Sequence, residues 1–144
     1  MCLMMVPMQI DYAILAEHAE VTGNKLYLMG GGWDTMYAPD APAQVRLVCA
    51  TGVRVDWDET NLPFPVTLTV EDDDAQEVFR IAGQMQVGRP PHLPIGSTQL
   101  YQMAATMQLT LPRFDGFRVL VTVGTGDLAV RKALPFRLAQ RKQG

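Results

Sequence analysis

The chain has 144 residues, 48% hydrophobic and 19% charged, with a formal net charge of -3 and a pI near 5.2. That length and balance fit one ordinary globular domain and exclude disordered, collagen-like and coiled-coil classes. The acidic balance argues against a surface that neutralises many phosphates, so no nucleic acid is expected as a partner.

The chain starts "MCLMMVPMQI". This stretch is apolar but has no positively charged leader region and is too short for a membrane span. The expectation is a cytoplasmic protein with no membrane partner. Residues 1–7 read as an apolar N-terminal arm, sticky through Met1, Met4 and Met5, with Met8 as an alternative start. Cys2 and Cys49 read as a loose thiol and a small buried hydrophobe, so no disulfide is expected.

Apolar and polar residues alternate with period two along most of the chain, the mark of half-buried strands. Ile10, Tyr12, Ile14 and Ala16 predict a first strand, although the good helix formers of "YAILAEHAE" allow a short helix instead. "TGN" then turns the chain into "KLYLM". Leu47, Cys49, Val53, Val55 and Trp57 form the inner row of the next strand, with Arg46, Arg54 and Asp56 on a wet face. Val66 to Val70, Phe79 to Val87, Tyr101 to Leu111, Phe117 to Val123 and Leu134 to Leu138 follow in the same pattern. Met29, Met85, Met103 and Met107 are placed inward as adaptable core filler.

Turn-forming clusters separate these runs, among them "APDAP", "DDDAQ", "VGRPPHLPIGS", "RFDG" and "GTGD". About eight short antiparallel strands imply a single all-β sandwich, immunoglobulin-like or C2-like, over residues 8–139. Residues 140–144, with Arg141 and Lys142, read as a solvated basic tail.

Three glycines, Gly30, Gly31 and Gly32, precede Trp33. A phosphate-binding loop would need a helix after them and a G-x-G-x-x-G or G-K-[ST] pattern, and "WDTMYAPDAP" supplies neither. A structural bulge is the preferred reading: one inserted residue would return Trp33 to the face of Leu28, and glycine permits the positive φ this requires. Close approach of a ligand or crossing strand to the bare backbone is the alternative.

"DYAILAEHAEVTGNKLYLMGGGWDTMYAP", with "VGRPPHLPIGS" and the closing "FDGFRVLVTV", resembles a family of small uncharacterised bacterial and bacteriophage β-sandwich proteins with a GGGWD element. The resemblance implies a sandwich fold and a bacterial or phage setting. It brings no catalytic residues.

His18 and His92 are far apart, and no zinc-binding spacing occurs. Ser97 shares a loop with His92, but a serine nucleophile also needs an orienting acid and an oxyanion hole, and no G-x-S-x-G elbow is present. Arg89, His92 and Ser97 are therefore assigned to a ligand or partner loop. The acidic stretches are expected to divide between two poles, Asp56, Asp58, Glu59 and Asp127 at one and Asp40, Asp72, Asp73, Asp74 and Asp115 at the other. Either group is a weak candidate for calcium, the first being the one carried as the alternative site, and solvated hairpin tips are the preferred reading of both. No cofactor is expected. The functional expectation is a non-catalytic binding or assembly module that meets a protein partner or another copy of itself through sheet edges, the arm and the long loop. Calcium or small-ligand binding is the alternative, and a small hydrolase ranks below it.

Overall fold

The structure is a computed structural model that describes residues 8–141. Among the described residues nine strands run in the order β1 (Gln9–Thr22), β2 (Lys25–Gly31), β3 (Thr35–Ala38), β4 (Ala43–Val55), β5 (Phe64–Asp72), β6 (Glu77–Met85), β7 (Gln99–Leu111), β8 (Gly116–Val123) and β9 (Val130–Gln140). They build two sheets, ordered β2-β1-β4-β7 and β3-β9-β8-β5-β6. The all-β sandwich that the alternation predicts is the fold adopted. The ambiguous first segment is a strand, not a helix. Every neighbouring pair is antiparallel except β3, the strand not anticipated, which runs parallel to β9.

The core lies between the sheets. Leu47, Cys49, Val53 and Val55 of β4 and Met107, Leu109 and Leu111 of β7 meet Val66, Leu68 and Val70 of β5 and Phe117, Val119, Val121 and Val123 of β8. Burial of each such side chain contributes roughly 1.5–3 kcal/mol, which is what drives the two apolar faces together. Cys49 is buried and free, and burial pushes its thiol pKa up.

The outer face of β4 departs from the expected wet row. Val48 and Ala50 are fully buried there, packed with Ala19, Leu26, Leu28, Tyr12 and Ala104. The cause is the β1–β2 hairpin. β1 pairs with β4 only as far as Ala16, which faces Val48 on β4 and Gly31 on β2. Beyond Ala16 the hairpin folds across the outside of the sheet, and its tip is fastened where Gln102 Nε2 donates to the Asn24 carbonyl at 2.8 Å. Gln102 Oε1 accepts from the Tyr12 hydroxyl at 2.6 Å. The 22–24 turn thus lies over a sheet face instead of at a pole of the sandwich.

Two further placements correct the sequence reading. Met29 is 70% exposed, because Leu26 and Leu28 take the covered side of the hairpin and leave Tyr27 and Met29 outside. Trp57 is not part of β4, which ends at Val55; it opens a single 3-10 turn, Trp57–Glu59. The expected N-terminal arm lies outside the described residues, as do residues 142–144 of the expected basic tail. Gln140 still belongs to β9, and the Arg141 N–H donates to the Ala38 carbonyl at 2.8 Å, so the start of that tail is held by β3.

Candidate functional site

The two long sides of the sandwich differ. On one, the three glycines carry the chain from β2 to β3 and so from one sheet to the other. No bulge is inserted: pairing of β1 with β2 keeps one register from Thr22↔Lys25 to Ala16↔Gly31. Gly30 and Gly32 have φ of +66° and +83°, the left-handed region that glycine tolerates. A Cβ on Gly31 would stand 2.4 Å from Leu28 Cδ2, so a side chain there would have to displace the tip of Leu28. The crossing delivers Trp33 to the core between the sheets, while Leu28 stays in the outer cluster. The change of phase seen in the sequence is therefore a change of sheet. Trp33 meets Phe136 edge to face, with ring centroids 6.4 Å apart at 90°, and Phe136 stacks on Phe117 at 5.8 Å. Trp33 Nε1 is buried without a hydrogen-bond partner among the described residues.

The opposite side is bounded by the end strands β6 and β7, which belong to different sheets. A cavity of about 190 Å³ opens between them, lined chiefly by Leu68, Ile81, Met85, Tyr101, Met103 and Ala105. β7 is 13 residues long, "QLYQMAATMQLTL", without a charged residue or a proline. From Leu109 to Leu111 its burial alternates cleanly, whereas Gln99 to Ala105 are all half-buried, the mark of an edge beside an opening. Sheet edges offer unpaired N–H and C=O groups to any extended chain, and natural edges are usually blunted by charge, proline or shortness. β3 has four residues, β2 carries Lys25 and ends in glycine, and β6 carries Glu77 and Arg80. Among the described residues, β7 alone of the four end strands has none of these guards.

The loop that joins β6 to β7 holds the three residues singled out in the sequence. Arg89 is already engaged: Nε donates to Thr60 Oγ1 and Nη2 to the Trp57 carbonyl, both at 2.8 Å, and the guanidinium lies 4.0 Å over the Trp57 ring. It clamps the loop to the 56–63 segment. His92 is exposed and Ser97 half-buried, and their side chains make no hydrogen bond to each other. The loop is instead two successive turns, closed by Leu93 N–H to the Pro90 carbonyl and Ser97 N–H to the Pro94 carbonyl. Its tip presents Ile95, 90% exposed.

Of Asp56, Asp58, Glu59 and Asp127, Asp58 and Glu59 line a recess of about 230 Å³ together with Met8, Leu62, Phe64, Gly124, Thr125 and Leu128. Glu59 is committed to the backbone, accepting from Asp56 N–H at 2.9 Å and Met8 N–H at 3.2 Å. Among the described residues, no group of three or more His, Cys, Asp and Glu has a metal-holding arrangement.

The sequence matches DUF6941, a family of unknown function, over residues 11–138. The chain belongs to the DUF6941 family. The DUF6941 region takes in the glycine crossing, the 86–98 loop and all of β7. No curated protein matches the chain.

The other end of this DUF6941 chain contains what sequence reasoning missed. Asp72 is not a solvated tip but 3% exposed, with Oδ1 accepting from Asp74 and Gln76 N–H at 2.9 Å and Oδ2 paired with Arg113 at 2.6 Å. Arg113 also reaches Asp115 at 2.9 Å. The Arg113 guanidinium, then the Gln76 and Asp74 amides, hold the Asp72 carboxyl below its usual range; the Gly116 amide and then Arg113 do the same for Asp115. A signal was available in "EDDDAQ", since Asp followed by polar residues favours side-chain-to-backbone turns. The remote partner, Arg113, had none. Beside this cluster an open cleft of about 550 Å³ is lined by Asp34, Asp73, Asp115, Phe114 and Arg137 among others.

Proposed function

We propose that the chain is a non-catalytic binding or assembly module whose contact surface is the open β6/β7 side, extended by the tip of the 86–98 loop. The observation that supports this most is β7 itself, a long end strand with no charge and no proline beside an apolar opening. Such a strand suits β-augmentation, in which main-chain hydrogen bonds supply affinity and alternate side chains enter the groove for specificity. Ile95 and His92 stand free at the loop tip to extend the contact, while Arg89 keeps the loop in place. The bacterial or phage setting and the cytoplasmic location expected from the sequence belong to the same proposal.

The test is capture by the purified wild-type chain compared with Met103→Lys, which puts a charge on the groove side of β7. A protein retained by the wild type and lost with the variant supports the reading. Retention that is indifferent to the variant, or no retention at all, overturns it.

Calcium or small-ligand binding was the alternative, and part of its donor set is spoken for: Glu59 by backbone amides, Asp72 and Asp115 by Arg113. A ligand that binds only the native state raises the melting temperature once its concentration passes its Kd. A rise at millimolar calcium would favour that alternative over protein contact.

A further inference from the structure

We propose that β7 pairs antiparallel with β7 of a second copy, joining two four-stranded sheets into one continuous sheet across a two-fold axis at Ala105. This rests on the reading of β7 as a contact edge and names its occupant.

The argument is the pattern of the strand. A two-fold axis through one residue places residue i opposite its mirror position, so both always point to the same side of the sheet. With the axis at Ala105, the inward row sets Met103 against Met107 of the second copy and Tyr101 against its Leu109. The outward row sets Gln102 against Gln108, and Ala104 against Thr106. "QMAATMQ" is nearly a palindrome in chemical type, apolar against apolar within and polar or small against polar or small without. A shift of the axis by half a residue would put the inward row of one copy opposite the outward row of the other.

Charge gives no objection. β7 has no ionisable side chain except Tyr101, so no like charges meet across the axis, although the chain as a whole has a formal net charge of -3. The two alanines at the centre leave space for close backbone approach, and the half-buried Tyr101 and Met103 border an opening that the second copy would cover. β6 lacks this self-complementarity: paired antiparallel with itself about its central Ile81, it would set Glu77 against Met85 in one row and Arg80 against Ala82 in the other.

The experiment is the solution mass of the intact chain across a concentration series, with two substitutions read beside it. A discrete species of twice the 15.9 kDa chain mass is expected, falling to once that mass in Met103→Lys. Because Met103→Lys also touches the core margin, a second measurement decides independently. In a Cys2→Ser background, Ala105→Cys puts two thiols across the proposed axis, where directly opposed Cβ atoms lie about 4.5–5.5 Å apart. Oxidation with copper phenanthroline is expected to give a covalent dimer for Ala105→Cys and none for Ala82→Cys on the exposed edge of β6.

A strict monomer at every concentration overturns the self-pairing, as does a dimer that is unaffected by Met103→Lys and not cross-linked through residue 105. The broader reading fails separately. A monomer whose capture of a different protein depends on Met103 keeps β7 as a contact edge with another occupant, and a monomer with no such capture removes both.

Discussion

At single positions the structure separates glycines that the sequence leaves alike. A Cβ on Gly52 would stand 2.1 Å from Cε1 of Tyr12, whereas one on Gly83 would meet nothing within 4 Å. Gly52→Ala must push the Tyr12 ring aside and strain its hydrogen bond to Gln102, which overpacks the hairpin seam and should cost about 1–3 kcal/mol by denaturant titration. Gly83→Ala, in ordinary backbone, should cost nothing and can stabilise by about 0.4–1 kcal/mol through the unfolded state. Equal losses at both sites would contradict the seam. Trp33 allows a finer comparison. Its rings fill the space beside Phe136, so Trp33→Ala should lose about 3 kcal/mol. Trp33→Phe keeps an aromatic edge and deletes a buried N–H that has no partner among the described residues; the two changes offset, and the variant should stay within about 1 kcal/mol of wild type. A loss on Trp33→Phe as large as on Trp33→Ala would mean that the N–H has a partner after all.

Among elements, the β5–β6 turn ties acid stability to one carboxylate. Arg113 and two backbone amides lower the Asp72 pKa in the folded chain, so Asp72 binds its proton less readily folded than unfolded. Its stabilisation is complete above the ordinary carboxylate range, about pH 4, and fades as pH falls through the lowered folded value. Melting temperatures should therefore drop on the acid side, and Asp72→Asn should melt lower than wild type at neutral pH with the gap closing in acid. A gap that is constant with pH would leave the ion pair with Arg113 out of the account. The same turn marks the reach of the sequence. Period two located eight strands, because a half-buried strand writes its two faces into alternate letters, as in Phe117, Val119, Val121 and Val123. It missed β3, whose four residues hold too little alternation and whose stability comes from Arg137, Leu138 and Ala139 on a strand roughly a hundred positions away. It misread the outer face of β4 for a similar reason: Val48 and Ala50 were visible as apolar, but nothing local says that a hairpin folds over them. β7 shows both sides of this. Its lack of charge could be read from the letters, while its place at the end of a sheet depends on which strands pair elsewhere.

Across the whole molecule, topology sets the expected folding speed. Of the paired strands among the described residues, only β1 with β2, β5 with β6 and β8 with β9 follow one another directly in the chain. Closing the first sheet requires Ala43 to find Leu111, and closing the second requires Thr35 to find Arg137. Each such pairing loses chain entropy before its contacts reward it, so sandwiches rich in distant pairings fold in milliseconds to seconds. Stopped-flow refolding followed by tryptophan fluorescence should fall in that range. Trp33 sits at the crossing between the sheets, packed on β9, and its burial needs the second sheet in place. Thr35 follows directly and its β3 pairing cannot form without β9, so destabilising changes at Met36 should speed unfolding while leaving the refolding rate nearly unaltered, the behaviour of contacts made after the transition state. Refolding slowed in proportion to the lost stability would instead place the crossing and β3 in the folding nucleus, and would make the glycine hinge an early event and not the final closure of the sandwich.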